Sequence, residues 1–169
     1  LLKELNINEN ESMGANLEDK DISAILLLAT QLNNFYKLKK HYEDYLKELE
    51  KETCPNFAMV AGPTIAAKLI SHAGSLRRLV EMPASTIQII GAEKALFRHM
   101  RNKKRNLPPK YGIIHEHQLI QKSNADMHGK AARALADKLS IAVKIDYFKG
   151  KFIGDKLKKE LTDKFKIQY

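Results

Sequence analysis

The sequence predicts an all-α protein in which a long coiled-coil helix is followed by a compact multi-helix domain. One stretch near the start repeats apolar residues at the alternating three- and four-residue spacing of a heptad helix. The remainder divides into short helical segments bounded by Gly and Pro. The β-branched segment 85–90 has no neighbouring strand candidates, so we assign it as a helical or irregular connector.

Composition and charge place the chain among ordinary globular proteins and point to a polyanionic partner. Its 169 residues are 44% hydrophobic and 29% charged, with 29 Lys and Arg against 20 Asp and Glu. Residues 1–56 hold 7 basic and 11 acidic side chains, whereas residues 57–169 hold 22 and 9. A polyanion is therefore expected to bind the second part.

Three regions follow from these patterns: a linker over 1–15, a coiled-coil helix over 16–54 and a binding domain over 55–169. Pro55 favours a break because it biases the preceding residue away from helix, and Asn56 is expected to cap the next helix. The longest apolar run, 25–29, is too short to cross a membrane. The start also lacks the pattern of a signal peptide.

The heptad stripe requires an apolar partner. It is interrupted only by Lys39. Such a helix belongs either to a bundle or to a coiled-coil hairpin whose other half precedes residue 1, and we favour the hairpin because the chain offers no second heptad helix. The stripe comprises Ile25, Leu28, Leu32, Phe35, Tyr42, Leu46 and Leu49.

Beyond the boundary the expected elements are short, with two longer helices at the end. Ser75 is expected to cap a helix that Pro83 stops, and Asp155 to cap the last helix. The segment 111–114 is expected to be extended and 102–110 to be a loop. The predicted helical segments are 58–61, 64–72, 76–82, 85–90, 92–101, 126–148 and 155–166.

Enzymatic and metal-binding patterns are lacking. His115 and His117 are two residues apart, whereas a zinc-binding helix needs the four-residue spacing that puts both rings on one face. No nucleophile–base pair or phosphate-binding glycine loop is recognisable. Cys54 is interpreted as a small apolar filler. We therefore expect no catalytic activity, metal or cofactor.

The basic signal is concentrated in one segment. Residues 98–110 carry six formal positive charges and no acid. This run is either a solvated face or a phosphate-binding surface. Further along, Lys130, Arg133 and Lys144 fall within about 60° of one another on a helix, with Asp137 in the same arc.

An ordered set of motifs resembles the Nop domain and adjoining coiled coil of the box C/D ribonucleoprotein scaffold in its archaeal form. The resemblance extends from residue 12 over nearly all of the chain. The matching segments are 12–15 (Ser-Met-Gly-Ala), 55–56 (Pro-Asn), 70–76 (Ile-Ser-His-Ala-Gly-Ser-Leu), 82–88 (Met-Pro-Ala-Ser-Thr-Ile-Gln), 91–98 (Gly-Ala-Glu-Lys-Ala-Leu-Phe-Arg), 111–117 and 129–146.

This resemblance implies a non-catalytic scaffold that binds kink-turn guide RNA jointly with the kink-turn-binding protein. The family's N-terminal domain, which this sequence does not contain, recruits the methyltransferase fibrillarin for RNA 2'-O-methylation. The coiled coil would pair two copies or paralogues. The implied location is cytoplasmic in an archaeon and nucleolar in a eukaryote. The alternatives are a spliceosomal relative with the same domain and a structural coiled-coil adaptor without specific RNA binding.

The resemblance also implies which residues make contacts. The expected RNA-binding residues, from the basic run and the helix faces, are Lys94, Leu96, Phe97, Arg98, Arg101, Lys103, Lys104, Arg105, Lys130, Arg133 and Lys144. The expected RNA–protein junction comprises Gln88, Gly91, Ala92, Glu93 and His117. Three departures from the family pattern are Lys144 in place of Arg, Asp137 in place of a small residue, and the 115–117 triplet His-Glu-His.

Overall fold

The computed structural model describes residues 18–165, and every regular element in this range is helical. This confirms the all-α class. The predicted linker over 1–15 lies outside the described residues. The chain divides into two compact units, one up to His41 and one from Tyr42 onward. The domain boundary that the sequence predicts near residue 54 stays a prediction.

Helix α1 spans Asp19–Thr53. Its 35 residues correspond to about 50 Å of helix. Asp19 and Asp21 lie in the first turn, where negative charge is favourable to the helix dipole. All seven residues of the heptad stripe are exposed, by 38% to 65%. The predicted helix is confirmed, while its pairing with a second helix stays a prediction.

Short helices follow, and most begin or end at Pro or Gly. Pro55 and Pro63 each occupy the first turn of a helix, where their missing N–H is tolerated. Gly74 ends a helix in the left-handed conformation, and Ser75 caps the next by accepting a hydrogen bond from the Arg78 backbone N–H at 3.2 Å. These helices are α2 Pro55–Ala61, α3 Pro63–Ala73, α4 Leu76–Glu81, α5 Ala84–Ile89 and α6 Glu93–Arg101.

The second half contains the longest helix of the compact unit. Its helices are α7 Gln118–Gln121, α8 His128–Tyr147 and α9 Gly154–Phe165, and 3₁₀ turns occupy Ile113–Glu116 and Ala125–Met127. The expectation of an extended segment over 111–114 is wrong from Ile113 onward, because local bonds such as that from the His115 N–H to the Gly112 carbonyl coil the chain there. Asp155 lies in the first turn of α9 rather than before it.

Helix α8 is the centre of the core. It packs against α2, α4, α5 and α9. Five alanines are among its buried residues, and their small side chains permit close approach of the surrounding helices. The buried residues of α8 are Ala131, Ala132, Ala134, Leu135, Ala136, Leu139, Ser140, Ala142 and Val143.

The start of α2 is held by a residue far away in sequence. The sequence predicts Asn56 as the cap of this helix, but Asn56 lies inside the first turn and is buried. The Asp146 carboxylate performs the capping function, since it accepts hydrogen bonds from the backbone N–H groups of Asn56 at 3.1 Å and Phe57 at 2.7 Å. Cys54 is buried just before, and burial raises the pKa of its thiol.

No helix in the described part of the chain combines the length and the apolar character needed to cross a membrane.

Candidate nucleic-acid interface

Two segments that are distant in sequence meet beside the predicted junction. The Gln88 side-chain amide donates to the carbonyl of Lys110 at 2.6 Å, and the Gly112 N–H donates to the carbonyl of Gln88 at 2.9 Å. The Ile113 N–H donates to the carbonyl of Ile90 at 2.8 Å. The two ends of the segment 92–110 are therefore held side by side.

Both segments use glycine where they touch. Gly91 has a φ of +87°, in the left-handed region, and a Cβ there would lie 2.5 Å from Cγ1 of Ile113. A Cβ on Gly112 would collide with the carbonyl oxygen of Ile90. The close approach of the two segments thus depends on these two residues.

Glu93 braces the turn that precedes α6. Its carboxylate accepts a hydrogen bond from the Gly91 N–H at 2.7 Å. This backbone hydrogen bond lowers the pKa of Glu93, so the side chain is ionised at neutral pH. The Glu93 carboxylate is therefore engaged by the backbone of its own turn. It forms no ion pair with the cations that follow in the described part of the chain.

Helix α6 exposes both apolar and cationic groups. None of its residues is buried, although Ala95 and Leu96 are partly covered. Phe97 is 65% exposed and Met100 is 60% exposed. Basic side chains occupy the last turn, where the helix dipole favours positive charge. A surface that combines exposed aromatic and cationic groups is typical of a binding interface.

The basic loop after α6 folds back on the end of that helix. The Asn106 side-chain amide donates to the carbonyl of Arg98 at 3.1 Å, and the His99 ring pairs with the carbonyl of Asn106 at 2.7 Å. Asn102 accepts a hydrogen bond from the Arg105 backbone N–H at 3.2 Å. These contacts hold the loop in place and leave its cations exposed. The exposed predicted contacts in this region are Lys94, Phe97, Arg98, Arg101, Lys103, Lys104 and Arg105.

The cations predicted on α8 are exposed, but the structure brings only two of them to one cavity. Lys130 and Arg133 line a cavity of about 300 Å³, whereas Lys144 is about 20 Å further along the helix. Lys164 from α9 joins them, which sequence reasoning missed because the contact depends on how the two helices pack. The full lining is Met127, Lys130, Arg133, Ala134, Asp137, Lys164 and Phe165.

His117, which is expected at the RNA–protein junction, is buried in the compact unit. It is 7% exposed, and its Nε2 pairs with the carbonyl of Val60 at 3.1 Å. Its Nδ1 accepts a hydrogen bond from the Leu119 backbone N–H, which starts α7. Burial lowers the pKa of His117, so the ring is neutral with a proton on Nε2. His117 thus connects α7 to α2, and its role at the junction stays a prediction.

His115 belongs to a separate aromatic group. Its ring stacks on Tyr111 with 4.6 Å between centroids, and His128 meets both rings edge-on. Within residues 18–165, no three His, Cys, Asp or Glu side chains are grouped so that they could hold a metal ion.

Comparison with known proteins decides the family. The family profile described as "Nop: snoRNA binding domain, fibrillarin" matches residues 2–167. The chain belongs to the Nop family. This confirms the resemblance that the ordered motifs indicated and the all-α fold expected with it.

Relatives come from archaea and eukaryotes. An uncharacterized NOP5 family protein of Methanocaldococcus jannaschii is 48% identical over 89% of this Nop chain, which spans 36% of that protein. Nucleolar protein 56 and nucleolar protein 58 of Schizosaccharomyces pombe are 44% and 39% identical over 81% and 80% of the chain, which spans 27% and 26% of them. The chain thus spans about a quarter to a third of the length of these relatives.

A solved structure shares the fold. The crystal structure of a fibrillarin/Nop5p complex contains a chain that is 33% identical, with a TM-score of 0.66. The alignment covers 87% of this Nop chain and 57% of that chain.

Proposed function

We propose that this Nop chain is the RNA-binding part of a non-catalytic scaffold in a box C/D ribonucleoprotein that guides RNA 2'-O-methylation. The observation that carries the proposal is α6 with its basic loop, which exposes Phe97 and seven cations next to the turn held by Glu93. The family description names snoRNA binding, which agrees with a polyanionic ligand. The charge of residues 57–169 supports the same ligand class.

The ligand in this proposal is kink-turn RNA that already carries the kink-turn-binding protein. Arg98 and the cations of the loop contact phosphates, while Phe97 stacks on a base at the end of the RNA stem. The turn formed by Gln88, Gly91, Ala92 and Glu93 lies at the junction of RNA and protein. Lys130 and Arg133 contact phosphate at the α8 cavity, and Lys144 contacts the RNA separately. Leu96, which is partly covered, supports Phe97.

Two protein partners complete the assembly. Fibrillarin is named in the family description and is part of the solved complex that contains the related chain. It would bind the scaffold through a domain outside this sequence. A second copy or a paralogue would pair with the apolar stripe of α1. The particle would be cytoplasmic in an archaeon and nucleolar in a eukaryote, as the names of the yeast relatives suggest for the latter.

Titration onto RNA tests the proposal. The chain is added to a kink-turn RNA with and without the kink-turn-binding protein, at two salt concentrations, and binding is followed by calorimetry. Binding is expected to be tight only when that protein is present, and to weaken with salt with a log–log slope of about −0.9 per duplex phosphate neutralised. Weak and equal binding in both cases would favour the structural adaptor.

Variants locate the surface. Arg98→Ala is expected to weaken the ternary complex by about 1–3 kcal/mol, since it removes one charged contact. Lys159→Ala is the matched control, because Lys159 is an exposed cation on α9 outside the proposed surface. Equal affinities of the Arg98 variant and the unaltered chain would remove Arg98 from the interface.

A further inference from the structure

The turn between α8 and α9 carries aromatic side chains that the core does not use. Residues 147–152 read Tyr-Phe-Lys-Gly-Lys-Phe, and we name them the aromatic–lysine loop. Phe148 is 74% exposed, Phe152 is 50% exposed and Tyr147 is 40% exposed. The rings of Tyr147 and Phe148 meet edge to face with 5.3 Å between centroids, and together with Phe152 they leave apolar area exposed to solvent.

Backbone hydrogen bonds fix the first half of this loop. The Phe148 N–H donates to the carbonyl of Lys144 at 3.0 Å, and the Gly150 N–H donates to the carbonyl of Ile145 at 2.8 Å. Lys149 has a φ of +53°, the left-handed conformation that reverses the chain after a helix. A Cβ on Gly150 would lie 2.9 Å from Cγ2 of Ile145, so glycine is needed for this tight reversal.

The second half is tied to the core through Asn56. The Ile153 N–H donates to the Asn56 side-chain oxygen at 2.6 Å, and the Asn56 amide donates to the Asp146 carboxylate at 2.7 Å. Both ends of the loop are therefore anchored to the start of α2. The exposed rings are held by this scaffold, which lowers the entropy cost of binding a ligand on them.

The positive charge of the aromatic–lysine loop favours an anionic ligand. Lys149 and Lys151 lie between Phe148 and Phe152 in sequence and are exposed, and Lys144 is exposed one turn earlier on α8. No acid occurs from 147 to 154, and the Asp146 carboxylate is engaged by α2. Exposed aromatic rings beside cations are a combination by which proteins bind single-stranded nucleic acid, since bases stack on the rings and phosphates contact the cations.

We propose that the aromatic–lysine loop is a second RNA contact, which binds an unpaired strand by stacking bases on Phe148 and Phe152 and holding phosphates with Lys149 and Lys151. This site is separate in sequence from α6 and its basic loop. It needs neither a kink-turn nor the kink-turn-binding protein, so it extends the proposed function to RNA outside the folded motif.

The test uses a fluorescein-labelled ten-nucleotide oligouridylate and fluorescence anisotropy with the whole chain. Replacing Phe148 and Phe152 together by Ala is expected to weaken binding about tenfold for each ring removed. Replacing both by Leu is expected to weaken it to a similar extent, because Leu keeps apolar area but has no π-face. Ile141→Ala, an exposed apolar residue of α8, is the matched control and is expected to bind like the unaltered chain.

The lysines are tested by salt dependence. Replacing Lys149 and Lys151 by Ala is expected to reduce the log–log salt slope by about 0.7 for each single-strand phosphate that is no longer neutralised. Because the rings and lysines are exposed, circular dichroism of all variants is expected to match that of the unaltered chain.

Two results would overturn the proposal. One is unchanged oligouridylate affinity in both aromatic double variants. The other is full binding by the Leu variant with weak binding by the Ala variant, which would indicate nonspecific apolar contact. The oligouridylate has no kink-turn, so this site and the α6 surface can fail independently. Sedimentation of the Ala variant, without RNA, is expected to match the unaltered chain, and loss of self-association there would instead identify a contact between copies.

Discussion

Glu50 is the only acidic side chain that is buried within residues 18–165. It lies in the last turns of α1 and is 5% exposed. Neither carboxylate oxygen has a hydrogen-bond partner among the described residues. Burial raises the pKa of Glu50 to about 7. The nearby Ala67 backbone in α3 partly opposes this shift, although it does not form a hydrogen bond with the Glu50 carboxylate. Ionising this group in place is therefore costly to the folded state.

Stability is expected to fall as pH rises through the window between the two pKa values of Glu50. In an unfolded chain the pKa of Glu is about 4.3. Between there and about 7, the folded chain holds a proton that the unfolded chain has released. Glu50→Gln cannot ionise, so at pH 8 it is expected to raise the free energy of unfolding by about 1–3 kcal/mol. The difference between the variant and the unaltered chain is expected to become independent of pH below about pH 4, where Glu50 is protonated in both the folded and the unfolded state, as measured by urea unfolding.

The control is Glu48→Gln, an exposed acid on the same helix. Its free energy of unfolding is expected to stay within about 0.5 kcal/mol of the unaltered chain at each pH. Parallel curves for Glu50→Gln and the unaltered chain from pH 5 to 8 would contradict the assignment of this pH dependence to Glu50.

At the scale of elements, helix ends are predictable where a single residue decides them. Pro63, Gly74, Ser75 and Pro83 act through their own backbone or side chain, so the limits of α3 and α4 follow from local sequence. The β-branched run 85–90, which is expected to be a helical or irregular connector rather than a strand, forms most of α5. Local signals therefore account for most of the element order.

Long-range contacts account for the errors. Asn is a residue type that often caps helices, yet the carboxylate that caps α2 comes from Asp146, which is ninety residues away from Asn56. The family resemblance places His117 at the RNA–protein junction, and its burial beside the Val60 carbonyl depends on a contact between residues 57 positions apart that local sequence does not reveal. In the candidate site, the basic loop is predictable because its cations are contiguous, whereas Lys164 reaches the α8 cavity only through packing.

The paired segments 88–91 and 110–113 form an element that depends on glycine. Gly112→Ala is expected to lower the free energy of unfolding by about 2 kcal/mol or more, because the new Cβ collides with the Ile90 carbonyl and forces the two segments apart. Thermal unfolding followed by circular dichroism measures this change.

Gly129→Ala is the matched control. A Cβ there would meet only Cδ of Lys110, at 3.9 Å, and Gly129 lies in the first turn of α8. This variant is expected to be neutral or to gain up to about 1 kcal/mol from helix propensity. Equal stability of the two variants would show that the close contact at Gly112 relaxes without cost.

At the scale of the whole molecule, the chain combines an acidic first part with a basic second part. The basic part has a core, centred on α8, that accounts for its stability. The stripe of α1 has no such support among the described residues, since all seven of its members are exposed. A helix of this length gains stability in water chiefly by burying its apolar face on a partner.

Self-association through α1 is therefore expected. Sedimentation equilibrium of the chain is expected to show a dimer whose population rises with concentration, and replacing Leu32 and Phe35 by Lys is expected to yield a monomer. Gln31→Lys adds one positive charge beside the stripe without removing an apolar residue, and it is expected to keep the dimer. Because Leu32 and Phe35 are exposed, the double variant is expected to leave unfolding of the part from Tyr42 onward unchanged. An unaltered chain that stays monomeric at every concentration would contradict self-association through α1 and leave the preceding hairpin helix or a paralogue as the partner of the stripe.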